Sequence, residues 1–98
     1  MVDELLGGEG GRFRVRTRDS SYVFDLIEGT VQRFAGPISN ASPNDARRRL
    51  RDITICKVGA RGYWTMWPAA EGDPDVEYMW QHTSEIKSIE RMDDDADR

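Results

Sequence analysis

Arg12, Arg14, Arg16 and Arg18 occupy every second position of one short run. On a strand this spacing puts their guanidinium groups on one face, with successive members about 6.6 Å apart. Such a ladder could follow a phosphate backbone, and Arg47, Arg48, Arg49 and Arg51 would extend it into a patch for DNA or RNA. The ladder also has an explanation without a ligand. The hairpin register derived below sets Asp25 across from Arg14, with Val23 and Phe34 in the row of Arg16. Cross-strand ion pairing, together with arginine stems laid over apolar neighbours, then accounts for the stripe. Because a basic stripe lacks the contacts that read bases, the paired and solvated face is the preferred reading.

A second set of residues is aromatic. Tyr63-Trp64-Thr65-Met66-Trp67, stopped by Pro68, is apolar or aromatic on both faces. Either it is a central strand buried on both sides, or one of its faces is left open for recognition. The run Val76 to His82 places Tyr78, Trp80 and His82 on one face. Trp80 then lies opposite Trp64 or Thr65, and Tyr78 opposite Met66 or Trp67. Aromatic side chains bury about 150 to 250 Å² each and dominate small cores, so packing is their default use. A binding role requires Tyr63, Trp67 or Trp80 to stand exposed beside a charged rim, and these three are the candidate anchors for a protein partner.

The groups that could do covalent chemistry are few. His82 and Cys56 are the single histidine and the single cysteine. A Cys–His pair would need a third, orienting group and an oxyanion site, which nothing marks. A buried cysteine and a strand-edge histidine are expected instead. Asp73, Asp75 and Glu77 alternate near a strand start and could form a loose cation site. They lack the ligand spacing of an EF-hand loop and read as a solubilising acidic loop. Gly7 to Gly11 contains no GxGxxG and precedes no helix, so phosphate cradling is excluded. The sequence therefore points to no enzyme, metal or cofactor.

The elements that position these residues are strands. Phe13, Val15 and Thr17, then Tyr22, Phe24 and Leu26, then Val31 and Ala35, alternate with polar residues. A two-residue turn at Asp19-Ser20 pairs Thr17 with Tyr22, Val15 with Phe24 and Phe13 with Leu26. A second turn at Glu28-Gly29 pairs Leu26 with Val31, Phe24 with Arg33 and Tyr22 with Ala35. The shared face is apolar on all three strands except at Arg33, and a one-residue slip would destroy that agreement. Gly36 to Ala41 reads as a loop, and Ser42-Pro43-Asn44-Asp45 as a helix start leading to a short turn through Arg49. Ile53 to Val58 forms a β-branched strand ended by Gly59. The turn Gly59 to Gly62 leads into the Trp-rich strand, and Ala69 to Asp75 is an acidic loop. A strand over Val76 to His82 and a last one over Glu85 to Met92, with Ile86 and Ile89, complete the series.

At 98 residues the chain reads as one domain. Residues 1–11 are expected as a flexible, Gly-rich leader, 12–92 as the folded domain and 93–98 as a solvated acidic tail, with neither end contributing to the core. The overall charge of -4 conceals a polarity. Arg12 to Arg51 holds 9 basic and 4 acidic residues, whereas Asp52 to Arg91 holds 4 basic and 7 acidic. A basic patch for an anionic partner, or self-neutralisation on folding, would both use that polarity. A lone cysteine favours a reducing, cytoplasmic setting, and the chain carries no apolar run that suits a membrane span.

The strings Tyr22-Val23-Phe24-Asp25-Leu26, Gly29-Thr30-Val31-Gln32-Arg33, Cys56-Lys57-Val58-Gly59, Thr83-Ser84 and Ser88-Ile89-Glu90-Arg91 resemble small uncharacterised proteins of actinobacteria and their phages. That resemblance implies a turn-and-strand framework and brings no activity, cofactor or site residue with it. The expected fold is all-β, an antiparallel meander of six to seven short strands closing as an SH3-like barrel or a compact sandwich. The expected function is a non-enzymatic module that binds another protein. A nucleic-acid-binding barrel is the alternative, and self-association through an edge strand a third possibility.

Overall fold

The structure, a computed structural model, describes residues 2–35, 47–68 and 77–92. Six antiparallel strands form one sheet closed into a barrel in chain order. They are β1 (Arg12–Thr17), β2 (Ser20–Asp25), β3 (Thr30–Ala35), β4 (Arg48–Ile55), β5 (Arg61–Met66) and β6 (Met79–Arg91). The all-β meander expected from the sequence is this barrel. None of the described residues is helical, and no helix among them is long and apolar enough to cross a membrane.

The two hairpins are tied at their bends by side chains. Thr17 Oγ1 accepts from the Ser20 N–H and donates to the Ser20 carbonyl, both at 3.1 Å, so the bend falls on Arg18 and Asp19 rather than on Asp19-Ser20. Phe13 consequently pairs with Phe24, and Val15 with Tyr22. The second bend takes four residues, Leu26 to Gly29, in place of two. There the Asp25 carboxylate accepts the N–H groups of Ile27 and Glu28 at 3.1 and 2.9 Å, and Gly29 supplies the φ of +76° that returns the chain. Val31 then faces Phe24, and Arg33 faces Tyr22. Both registers differ from expectation by two residues, and side chains alternate with period two, so every side chain keeps its expected face. What changes is the outer pairing. Asp25 lies across from Arg12 instead of Arg14, and Val23 moves from the row of Arg16 to that of Arg14.

The second half departs from strict alternation. In β4 the register shifts between Leu50 and Asp52 and again between Ile53 and Ile55. Leu50, Ile53 and Cys56, spaced by three, all pack on or in the core as a result. In β6 a shift opposite Arg16 and Thr17 lets both Ile86 and Ile89 turn inward. The two strands expected over Val76 to His82 and Glu85 to Met92 are one. β6 pairs with β5 through Met79 to Glu85 and with β1 through Ile86 to Arg91. At the handover, buried Thr83 accepts the Gly62 N–H at 2.8 Å and donates to the Ser84 carbonyl at 2.6 Å, which carries the chain through without a break. The helical turn expected through Arg49 is absent from its described end, because Arg48 and Arg49 open β4. The rest of that turn, the acidic loop from Ala69 to Asp75 and the tail 93–98 lie outside the described residues.

Trp64 occupies the centre. It is fully buried, with Tyr22 and Phe24 set edge-on to its ring at centroid distances of 5.0 and 4.8 Å. Gly62, two residues earlier on the same side, makes room for it: a Cβ there would sit 2.6 Å from the Trp64 ring.

Residues 2–11, expected to stand off the domain, instead line it. Leu5 is 0% exposed and belongs to the core. Its N–H donates to the Cys56 carbonyl at 2.8 Å, and the Val58 N–H donates to Asp3 at 2.9 Å. Single bridges join Val2 to Ile89 and Glu4 to Lys57. The glycines that suggested flexibility let the segment bend after docking. Glu9 closes the bend by accepting the N–H groups of Leu6 and Gly7 at 2.7 and 2.9 Å. Partial burial works against its ionisation, yet these backbone donors prevail and hold its carboxyl below the usual range.

Candidate functional site

Bulges and alternation together sort the outward side chains into two unlike faces. On β5, Trp64 and Met66 point inward, leaving Tyr63, Thr65 and Trp67 outward. The pairings Tyr63 with His82 and Thr65 with Trp80 bring the outward residues of β6 beside them. Trp80 is 60% exposed, Trp67 43% and Tyr78 40%. Tyr63 is half-buried between neighbours, its ring 6.3 Å from that of Trp80 and 5.8 Å from that of His82. Ile55, opposite Tyr63, is exposed as well. Of the three tryptophans, therefore, only Trp64 takes the core role expected of the cluster.

Arg51 completes this face. It sits at the first β4 bulge, where an extra residue redirects a side chain. Its guanidinium lies 4.3 Å from the centroid of the Tyr78 ring and 5.4 Å from that of Trp67, while Nη1 approaches Thr65 Oγ1 at 3.4 Å. Each cation–π contact at an exposed site contributes about 0.5–1 kcal/mol. The arginine thereby holds two exposed rings in place, which lowers the ordering cost when something docks on them. Thr65 is buried although it points outward, so the groups around it close over the middle of the face.

The other face belongs to β1, β2 and β3. Arg12, Arg14 and Arg16 line a groove of about 440 Å³, with Arg47 contributing from the start of the second half. Val23, Phe34 and Met92 give it an apolar part, and among the described residues Asp25 is its one acidic lining residue. Arg16 also pairs with Glu90 at 3.5 Å, where both side chains are more than half exposed, a contact worth about 0–1 kcal/mol.

The eight arginines grouped by sequence do not form one patch. Arg12, Arg14, Arg16 and Arg47 share the groove. Arg18 lies in the first bend, paired with Asp19 at 3.2 Å. Arg48 stands opposite inward-facing Val31 and is half-buried, whereas Arg49 is exposed opposite Thr30. Arg51 belongs to the aromatic face. Neighbours on a strand point to opposite sides, which turns Arg48 away from Arg47 and Arg49.

Cys56 and His82 are also apart. Cys56 is buried in the core, and burial, with the Glu9 and Glu4 carboxylates adding to it, pushes its thiol up to about 12. His82 is exposed on the aromatic face. Among the described residues no group of three or more His, Cys, Asp or Glu could hold a metal ion. Glu77 is exposed, and Asp73 and Asp75 lie outside the described residues.

Sequence reasoning set Val23 and Phe34 beside the arginine ladder and Tyr78 on the face of Trp80, though not as site residues, and it missed Arg51 and Ile55 on the aromatic face and Met92 in the groove. Tyr78 had a signal in its shared phase with Trp80 and His82. Arg51 had none, because its placement depends on a bulge. No family model matches the chain, and neither curated proteins nor solved structures gave a match.

Proposed function

We propose that this barrel, SH3-like in its size and meander, is a non-enzymatic module that binds another protein through the outer face of β4, β5 and β6. Tyr63, Trp67 and Trp80 are the anchors, with Tyr78 and Arg51 beside them. The observation that carries the reading is the exposure of Trp67 and Trp80 on a sheet that keeps Trp64 for its core. Exposed aromatic clusters held against a charged neighbour have the composition of interface hot spots. The lone buried thiol fits a reducing cytoplasm as the place of work.

A second reading rests on the groove with its four arginines, which suits a nucleic-acid backbone. Self-association through an edge has less support, because the sheet closes on itself. Affinity capture with the full chain, run beside Trp67→Ala and Trp80→Ala, separates these readings. The first expects one protein retained up to high salt and lost with either substitution. Retention of every captured protein by both folded variants would remove the aromatic face from consideration. DNA or RNA binding that falls steeply with salt would favour the groove.

A further inference from the structure

We propose that the groove on the outer face of β1, β2 and β3 is the docking site of the chain's own acidic segment, residues 93–97, so that any external polyanion must first displace it. Among the described residues the groove carries Arg12, Arg14, Arg16 and Arg47 against Asp25, with Glu90 beside Arg16 at 3.5 Å. The segment supplies Asp93, Asp94, Asp95 and Asp97. Its point of attachment is already in place: Met92 lines the groove, and its N–H donates to the Arg12 carbonyl at 2.8 Å. The chain therefore leaves the last described residue at the Arg12 end of the ladder.

Reach and charge both fit. From Arg12 to Arg16 the ladder spans about 13 Å at strand rise. Five residues, once the chain turns back over the sheet, extend at most about 17 Å. Isolated surface ion pairs contribute little, but here several act together on a short tether. Such a tether gives the segment an effective concentration on the order of mM at the groove. The inference does not depend on the aromatic face, which lies on other strands. It adds to the groove a built-in competitor that sets a threshold for phosphate-bearing ligands.

The test uses the full chain and a variant in which Asp93→Asn, Asp94→Asn, Asp95→Asn and Asp97→Asn are combined. The substitutions touch none of the described core residues, and circular dichroism of both proteins checks that each is folded. NMR of the arginine Nε–H groups is expected to show shifts at Arg14, Arg16 and Arg47 between the two. Arg61, whose Nε–H donates to the Thr83 carbonyl at 3.0 Å, should stay in place. The difference should vanish by about 1 M salt, where the screening length is about 3 Å. Titration with tripolyphosphate is expected to reach its midpoint at several-fold lower concentration in the variant. Coincident arginine resonances at low salt would overturn the proposal. So would equal midpoints, or no response of the variant to tripolyphosphate. Shifts that grow with protein concentration would assign the groove to the tail of a second copy, and equally overturn it.

Discussion

The two halves of the barrel reach the same core by different routes. β1, β2 and β3 alternate without interruption, their inward residues mostly apolar, Arg33 apart, and their outward ones mostly polar, with Val23 and Phe34 among them. β4 and β6 interrupt alternation at bulges, and inward residues recur every third position: Leu50, Ile53 and, just past β4, Cys56, or Thr83, Ile86 and Ile89 in β6. Regular strands make a face whose chemistry follows from parity. Bulged strands make one whose chemistry follows from where the extra residue falls, and there Arg51 joins the aromatic rings.

The comparison breaks most completely if the centre is removed. Trp64, from the bulged half, fills the space between both halves, and Trp64→Ala is expected to cost about 3–5 kcal/mol in urea unfolding. A loss under 1 kcal/mol would mean that the hairpin half holds the fold alone. Leu5→Ala is expected to cost about 2–5 kcal/mol, because the leader completes the core under the second half. If the melting temperature does not move, the docking of residues 2–11 is incidental.

Gly62→Ala presses a Cβ against Trp64, with overpacking of about 1–3 kcal/mol expected. Gly29, in the regular half, has nothing within 4 Å of a built Cβ, so Gly29→Ala reports only the strain of its positive φ. A larger cost at Gly29 would reverse the ranking of the two sites.

Alkaline pH sharpens the contrast further. Burial pushes the Cys56 thiol up to about 12 in the folded chain, from an ordinary value of 9.0. Between those values the unfolded chain releases the proton and the folded one keeps it. Stability is therefore full below about 9 and falls as pH rises towards 12, by at most about 1.4 kcal/mol per unit. Cys56→Ala should flatten that slope in denaturation curves. The smallest effect is expected outside: Trp80→Ala should change stability by no more than about 0.5 kcal/mol while abolishing partner capture.

How much of this was legible in the sequence follows the same division. For Phe13, Val15, Tyr22, Phe24 and Val31 alternation sufficed, and a two-residue error in register left every face correct. The bends were misplaced because Thr17 and Asp25 select them through side-chain bonds that turn propensities do not contain. In β4 and β6 spacing misled, since a bulge inverts the phase beyond it. Thr83-Ser84 looked like a break because a threonine bonding to Gly62 resembles a turn residue until its partner is known. Leu5 was read as solvent-facing because composition alone described its glycine-rich surroundings. The aromatic candidates Trp67 and Trp80 were named, but their exposure depended on Trp64 winning the core, a matter of packing rather than pattern.

The ring is joined unevenly. Among the described residues β3 registers with β4 at Thr30–Arg49 and Val31–Arg48, with the Leu50 N–H donating to the Gly29 carbonyl just beyond at 2.8 Å, whereas every other junction registers four or more pairs. A hoop under thermal load gives way at its shortest clasp, and local opening there disturbs the fewest backbone bonds. The barrel thus has one soft direction. Amide protons beside that clasp should trade with deuterium sooner than those of β1, and the two faces can breathe against each other while Trp64 stays gripped.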